Sequence, residues 1–560
     1  MFAMHSNIEN ALISISIFHY KILNYTSNFN QFVTLSTYVT GFVTRFLSIK
    51  LFIIVTFSSI IEISINCNIL GRVLIMTLFA DTLKKYLETK NTTIYTISKI
   101  SGVNRTMIQH MKVGKRMPAN AADVSAIAKA MMLNPSETAD LLRAYHISHM
   151  GEENYFRREN VSKIISSFYD MNAASELIIP TGIQDNLEMC EPLKAINGKA
   201  NINRILKAIL EIEANKKTGH IKIMVQPEYT YLFDCLTSID FNRNQTLVEA
   251  IIVFDKNEGH KSTTYNLNIL QKLVPILFQC EVFHPYYVYD NVDTLFNNTS
   301  MLPFKIITSD YVLAVSYEQD KAVLYNSPDM VVLTSDTFQK KFSVANPICH
   351  TFHPTPEEYL QASFMSDDEI QAEEVYELFY QPCFPSFCPE NILMDRLNTA
   401  IIPKEMQQVI AAYFAKIRAQ YNNHFISFTL EGLNLFMETG RVTEIPDFMY
   451  TYLKPQQRLT LLKNIITSVD DGSFKPRIVR SDKLSVPSPL CICAPNEQKV
   501  IIYYFSPNKG QYIFHLQELS MVHAFHDFLV YLPESSMVYS EEESKKLLHS
   551  IYDKYTNIYC

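Results

Sequence analysis

TIYTISKISGVNRTMIQHMKVGKRMP, Thr93 to Pro118, is the stretch on which the reading of this chain turns. Two short helical patterns flank a tight turn within it. Ile94, Ile97 and Ile100 recur at helical spacing and are expected to bury one stripe. Gly102 suits the left-handed conformation that closes a helix. Val103 can pack into the angle that follows. Asn104 is a good N-cap for a second helix, because its side-chain oxygen can accept from an orphan backbone N–H. In that helix Ile108 and Met111 share a face with Val103. Arg105, Gln109 and Lys112 face the other way, with Thr106 and His110 beside them. Gly114-Lys115-Arg116-Met117-Pro118 then stops the helix in a turn that carries positive charge.

A helix whose apolar side is held by a partner can present its polar side to a DNA major groove. There Arg can pair bidentately with guanine and Gln with adenine, and a Thr methyl can touch the thymine methyl. Lys115 and Arg116 would lie near phosphates, adding affinity and little sequence information.

Residues 76 to about 145 resemble the Cro and phage-repressor (XRE-type) helix-turn-helix family. SKISGVNRTMIQHM, Ser98 to Met111, matches the two-helix unit, and GKRMP matches the loop after it. The resemblance implies a compact five-helix domain that binds double-stranded DNA, commonly as a homodimer. By position it implies that Arg105, Thr106 and His110 read bases, with Gln109 adjacent, and that Lys115 contacts phosphate. With Asn104, Lys112 and Arg116 these form the expected DNA-binding set. Ile94 departs from the family, which often has Gln at that place to contact the backbone. A helical hairpin with a solvated basic face would share the two-helix pattern. The GKRMP loop and the flanking helices at the right distances favour DNA binding over it.

The rest of the chain is bounded by composition. At 560 residues, and at ~150 residues per domain, three or four domains fit. With 48% hydrophobic and 19% charged residues, a core is easily filled. The formal net charge is -8, yet residues 76–150 hold ten Lys and Arg against five Asp and Glu. Positive charge is thus concentrated where DNA contact is expected, and the acidic remainder should face away from phosphates. Ten cysteines at irregular positions, without a secretory cleavage pattern, are expected to be reduced thiols in a cytoplasm. Cys383 with Cys388, Cys491 with Cys493, and His350 and His353 near Cys349 are the only clusters that suggest zinc. No repeated C-x-x-C spacing supports it, so no metal and no cofactor are expected.

Residues 1–75 carry few charges, and their longest uncharged apolar run, Leu51 to Ile61, is shorter than the ~20 residues of a spanning helix. Met76 precedes a good helical face of Leu78, Phe79, Leu83, Tyr86 and Leu87, and a purine-rich codon stretch for Gly71-Arg72 would suit a ribosome site. We expect translation to start at Met76, leaving 1–75 as an untranslated or disordered extension. A native peptide from residues 20–50 in mass spectrometry would refute this.

Past the two-helix unit, Val124, Ile127, Ala128 and Met131 form another helical stripe, and Asn134-Pro135-Ser136-Glu137 opens a further helix. Gly151 to Asn160 reads as a linker. Beyond it helices alternate with strand-like runs. Asn201 to Ala214, Tyr231 to Ile239 and Leu267 to Phe278 read as helices. Ile221 to Val225, Val248 to Phe254, Phe304 to Ile307, Tyr311 to Ser316, Ala322 to Asn326 and Met330 to Leu333 read as strands. Ser366-Asp367-Asp368-Glu369 reads as a helix start, and the acids through Glu377 as a solvated face. Pro382 to Pro389 suggests a boundary. Ile392 to Tyr421, Arg458 to Val469 and Glu541 to Tyr555 read as helices, and Pro476 to Val479, Val500 to Phe505 and Gln511 to Leu516 as strands. KIITSDYVLAV, Lys305 to Val315, echoes RIVRSDKLSV, Arg477 to Val486, as two related α/β units would.

The expected architecture is α+β and multidomain: a small all-α helix-turn-helix domain at 76–150, then a larger mixed α/β C-terminal region. That region divides into an α/β domain at 160–380 and a helical, then α/β, domain at 390–560. No phosphate loop, dinucleotide fingerprint, nucleophile elbow or H-E-x-x-H occurs. His220 and Lys222 lack the carboxylate of a phospholipase-D-like HKD motif, Pro227 standing there instead, and Glu357, Glu358, Asp367 and Asp368 have no identifiable partner. The expectation is a cytoplasmic DNA-binding transcription regulator that is not an enzyme, with a sensing or oligomerising C-terminal region and a small-molecule or protein effector. A protein-interaction module without specific DNA binding, and a membrane-tethered regulator using residues 51–65, are the alternatives.

Overall fold

The computed structural model describes residues 78–174, 191–256, 260–292, 301–352, 374–420, 424–506 and 510–559. The expected start at Met76, the Leu51 to Ile61 run, Ser366 to Glu369, and the carboxylates of Glu357, Glu358, Asp367 and Asp368 lie outside them. The chain forms two compact units, Met1–Gly151 and Glu152–Cys560.

The described part of the first unit is all helical. Helix α1 spans 78–89, α2 Ile94–Ser101, α3 Arg105–Lys112, α4 Ala121–Ala130 and α5 Pro135–Met150. Each start carries its own signal. Thr93, Asn104 and Asn120 cap α2, α3 and α4, and Asn134 with Glu137 forms a reciprocal capping box on α5. Phe79, Leu83, Ile97, Ile108, Met111, Val124, Ile127 and Leu141 fill one small core. Of the isoleucine stripe, Ile97 is fully buried and Ile94 packs at the edge, but Ile100 is 57% exposed. At 3.6 residues per turn, positions three apart drift by about 60° each, so Ile100 lies about 120° around the helix from Ile94 and leaves the buried stripe.

The second unit is mixed α/β. Helix α6, Glu152–Ala174, opens it where a linker was expected. Two polar residues of 151–160 are held by packing: Asn160 is buried, and Arg158 forks onto Asp527, Nε to Oδ2 at 2.8 Å and Nη2 to Oδ1 at 2.9 Å. Burial alone would raise the Asp527 carboxyl, but the bonds from Arg158 and Arg157 hold it below its ordinary value.

The chain then continues through β1 (Leu193–Asn197), α7 (Lys199–Ala214), β2 (His220–Met224), α8 (Thr230–Ser238), β3 (Leu247–Asp255), α9 (His260–Gln279) and β4 (Phe283–Asp290). Next come β5 (Phe304–Ile307), β6 (Val312–Val315), β7 (Lys321–Tyr325), α10 (Pro328–Phe342) and β8 (Asn346–Pro347). These strands form a sheet in the order β1-β7-β6-β5-β2-β3-β4-β8. The run at Met330 to Leu333 is not a strand. It lies in α10, which Pro328 opens at a first-turn position with Asp329 behind it, so the start signal overrides the β-branched valines.

The second sheet takes β9 (Cys349–Phe352), β10 (Val375–Phe379), β11 (His424–Thr429), β12 (Arg477–Val479), β13 (Leu490–Asn496), β14 (Lys499–Ser506) and β15 (Gly510–Leu516). Its order is β12-β11-β10-β13-β14-β15-β9. Helices α11 (Glu390–Arg396), α12 (Lys404–Gln420), α13 (Leu430–Thr439), α14 (Pro455–Asp470), α15 (Leu519–Tyr531) and α16 (Glu541–Tyr559) accompany it. Because β9 and β10 already belong to this sheet, Pro382 to Pro389 falls within it rather than at its edge. There a buried 3-10 turn, Phe384–Phe387, follows β10.

The two sheets repeat one plan. In each, three parallel strands (β4-β3-β2 and β12-β11-β10) continue into an antiparallel meander (β5-β6-β7 and β13-β14-β15). The echo between Lys305–Val315 and Arg477–Val486 does not mark this repeat. By strand order β5 corresponds to β13, and β12 to β4, so the similar segments occupy unlike places. Ile223 and Leu313 of the first sheet share one continuous core with Ile492 and Ile502 of the second. A separate core of Phe428, Phe436, Leu462 and Ile465 lies within the C-terminal half.

Candidate nucleic-acid interface

The geometry of 93–118 follows from short-range bonds. The Gly102 N–H donates to Ser98 O at 3.1 Å, with Gly102 at φ 76°. The Ser98 hydroxyl donates to Val103 O at 2.8 Å, and Val103 N donates to Ser101 Oγ at 3.2 Å. The turn between α2 and α3 is thereby closed from both sides. The Thr106 N–H then donates to Asn104 Oδ1 at 2.8 Å and starts α3.

Inside α3, Ile108 and Met111 are buried to 0% and 1% exposure. Each such burial stabilises by about 1.5–3 kcal/mol, enough to fix which face of the helix turns outward. That outward face carries Arg105, Thr106 and Gln109, all exposed. His110 and Lys112 flank it half-buried, and exposed Asn104 is already used as the cap. At the other end Lys115 N donates to His110 O at 2.9 Å and Gly114 sits at φ 71°, which closes the helix and turns Lys115 and Arg116 into solvent. Pro118 is buried, anchoring the end of the loop. The Arg116 guanidinium lies 3.9 Å from Met107 Sδ. Among the described residues, no side-chain hydrogen bond or ion pair holds Arg105, Gln109, Lys112 or Lys115.

Between Glu88 and Asp123 the chain has no acidic residue, while Lys90, Lys99, Arg105, Lys112, Lys115 and Arg116 fall within it. Two nearby acids are occupied in α5. Glu137 pairs with Lys90 at 2.7 Å, and Asp140 accepts from the Tyr86 hydroxyl at 3.0 Å. The hydrogen bond from Lys90, then that from Asn134 N, holds the Glu137 carboxyl below its ordinary range. The outward face of α3 and the loop after it is therefore a cationic surface with amide and hydroxyl groups interleaved, able to meet both phosphates and base edges.

The eight residues singled out from the sequence are all in this segment. Thr93, Tyr95 and Thr96 were passed over. They are exposed at the start of α2, Tyr95 to 60%, with Thr93 Oγ1 accepting from Thr96 N at 3.2 Å. Their legible signal is a Thr placed three residues before a second Thr at a helix start.

The other sequence candidates take structural places. His220 Nε2 is 2.7 Å from Glu249 Oε2 across β2 and β3, and Lys222 Nζ stands 5.9 Å from the Phe338 ring. Glu377 is not solvated. It is buried in β10, where its Oε2 meets His424 Nδ1 at 2.9 Å. Cys388, Cys491 and Cys493 are buried free thiols and Cys383 is half-buried. Burial pushes the Cys388 thiol up to about 12. Among the described residues no three His, Cys, Asp or Glu side chains are grouped to hold a metal ion, and no helix is long and apolar enough to cross a membrane.

No family profile matches the chain, and no curated protein matches it. Among solved structures, TrmBL2, an archaeal chromatin protein with a novel mode of DNA binding, is 12% identical over 38% of this chain and 71% of its own, at a TM-score of 0.19. The phosphatidylserine synthase of Haemophilus influenzae Rd KW20 is 10% identical over 66% of this chain and 94% of its own, at a TM-score of 0.21. The sequence expectation of a chain that is not an enzyme does not stand: the missing motifs exclude only their own chemistries, and the second of these structures is of an enzyme. At these scores neither structure specifies an activity or a ligand for this chain.

Proposed function

We propose that the helical unit binds double-stranded DNA and that the chain is a sequence-specific transcription regulator of the Cro and phage-repressor type. The observation that carries this reading is the outward face of α3. Arg105, Thr106 and Gln109 stand exposed over buried Ile108 and Met111, within a segment free of acids. In this reading α3 lies in the major groove, Arg105 pairs with a guanine, Gln109 faces an adenine, and Lys115 and Arg116 hold phosphates. A homodimer would place two such helices ~34 Å apart on a near-palindromic site. The unit from Glu152 onward would serve sensing or self-association.

The test is genome-wide mapping of occupied sites, followed by anisotropy titrations on the recovered sequence. Arg105→Ala should cost about 1–3 kcal/mol and relax specificity at one base pair. Lys115→Ala should weaken all sequences alike and reduce the salt slope by about 1. Unchanged binding by Arg105→Ala would overturn the assignment of that residue. Absence of any enriched site would overturn the regulator reading itself.

A further inference from the structure

Helix α12, Lys404–Gln420, turns its two faces to unlike surroundings. The inward face carries Ile410 and Phe414, 1% and 4% exposed, and belongs to the core of the C-terminal half. The outward face carries Glu405, Val409, Ala412, Lys416 and Ala419, all exposed. Their spacing of four, three, four and three residues places them within about 80° of arc, the kind of seam along which two helices pack. Ile401, 51% exposed in the turn before the helix, adds apolar surface at that end.

A solvated helix face gains support from opposite charges three or four residues apart. On this seam neither charge has an opposite one at that distance along the helix. Glu405 is followed by Gln408 and Val409, and Lys416 is flanked by Ala412, Tyr413, Ala419 and Gln420. The acid and the base stand eleven residues apart, ~16 Å along the axis, with Val409 and Ala412 between them on the seam. Acid at one end, carbon in the middle and base at the other is a pattern completed by a reversed copy of itself. About a two-fold axis midway between Ile410 and Ala411, Glu405 meets Lys416 of a second copy and Val409 meets its Ala412, each contact occurring twice. The small Ala412 side chain lets the helix axes approach to ~8 Å, the near end of the usual range. A parallel pair would instead set Glu405 against Glu405 and Lys416 against Lys416.

We propose that α12 is the surface through which two copies of this chain associate, antiparallel, with Glu405 of each copy paired to Lys416 of the other. The proposal rests on the self-association part of the proposed function and not on the DNA contact of α3. One helix pair is a small interface and small interfaces are weak, so half-dissociation is expected on the order of 10–100 µM. Both charge pairs lie at the surface, so the association should loosen as salt is raised.

The test is sedimentation equilibrium of the full chain across that concentration range, with circular dichroism as the check on folding. Glu405→Lys alone and Lys416→Glu alone each set like charges against one another at both ends of the pair. Each should weaken the dimer about tenfold. An equimolar mixture of the two variants should recover the natural affinity, because each supplies the charge that the other lacks. Glu405→Lys combined with Lys416→Glu in one chain should recover it too. A natural chain that stays monomeric throughout would overturn this proposal and the self-association reading together. A dimer indifferent to both single variants, or a mixture that stays dissociated, would overturn the α12 assignment and leave self-association standing. Melting temperatures that fall in the single variants while the dimer persists would also overturn it, by placing both charges with the helix dipole instead.

Discussion

The helical unit and the C-terminal half treat polar side chains in opposite ways. In the first, Arg105, Thr106 and Gln109 are put into solvent over a core of aliphatic, aromatic and methionine side chains. In the second, charged groups are drawn inside: Glu377 sits beside His424, and Glu444 has Oε1 sealed from solvent with no hydrogen-bond partner among the described residues. A surface group can be removed at little cost to the fold, whereas a buried one is tied to it. Contacts made by α3 should therefore be readable by mutation without unfolding. Changes at Glu444 should register first in stability.

The largest expected effect tests the other half of this contrast, that the two sheets behind Glu152 stand or fall together. Phe304 is 1% exposed and stacks on Tyr229 at 5.9 Å, inside the core that both sheets share. Phe304→Ala should cost about 3–5 kcal/mol in urea unfolding. Hydrogen exchange should then show amides of β2 and β14 losing protection together. Loss confined to the first sheet would break the picture of one cooperative unit.

A smaller effect comes from Glu444. Burial, and then the charge of Glu377, raise its carboxyl to about 8. An unfolded Glu ionises near its ordinary value, so between the two values the folded chain binds the extra proton. Stability is then fully present below about pH 4.5 and declines as pH rises towards 8. Glu444→Gln removes the ionisation and keeps the shape. It should leave stability at pH 5 nearly unchanged and raise it on the order of 2–4 kcal/mol at pH 9 relative to the natural residue. Parallel pH slopes for the two proteins would show that Glu444 does not titrate in this range.

Which features could be read from the sequence follows from their range. Gly102 and Asn104 act on residues two to four positions away, so those two caps were legible, whereas the caps at Thr93 and Asn120 were not. Also legible was β3, whose apolar run, broken by Glu249 alone, fits a strand between two parallel neighbours. Glu377 was misread because its acidic surroundings suggest solvent, while its burial depends on His424, 47 residues away. The strand order of the repeat was equally hidden, since similar text at Lys305 and Arg477 lies on strands that do not correspond. The linker reading of 151–160 failed for the same reason: the partner of Arg158 is Asp527, 369 residues on. Of the eight residues singled out in and after α3, the exposed face of Arg105, Thr106 and Gln109 was legible, but the half-buried state of His110 and Lys112 was not.

The smallest effect probes the turn that aims α3. Gly102 has open space around a would-be Cβ, so Gly102→Ala meets no clash. What it meets is a backbone at φ 76°, which costs an L-residue about 1–2 kcal/mol. Thermal melts of the full chain should show this loss in the transition of the helical unit, with the transition of the α/β unit unmoved. If that unit carries the DNA contact, affinity should fall only near the new melting temperature, because Arg105 and Gln109 keep their places on α3 while it is folded. A large affinity loss far below that temperature would mean the turn adopts a different angle in the variant. The exposed face would then owe its direction to Gly102 as much as to Ile108 and Met111 beneath it.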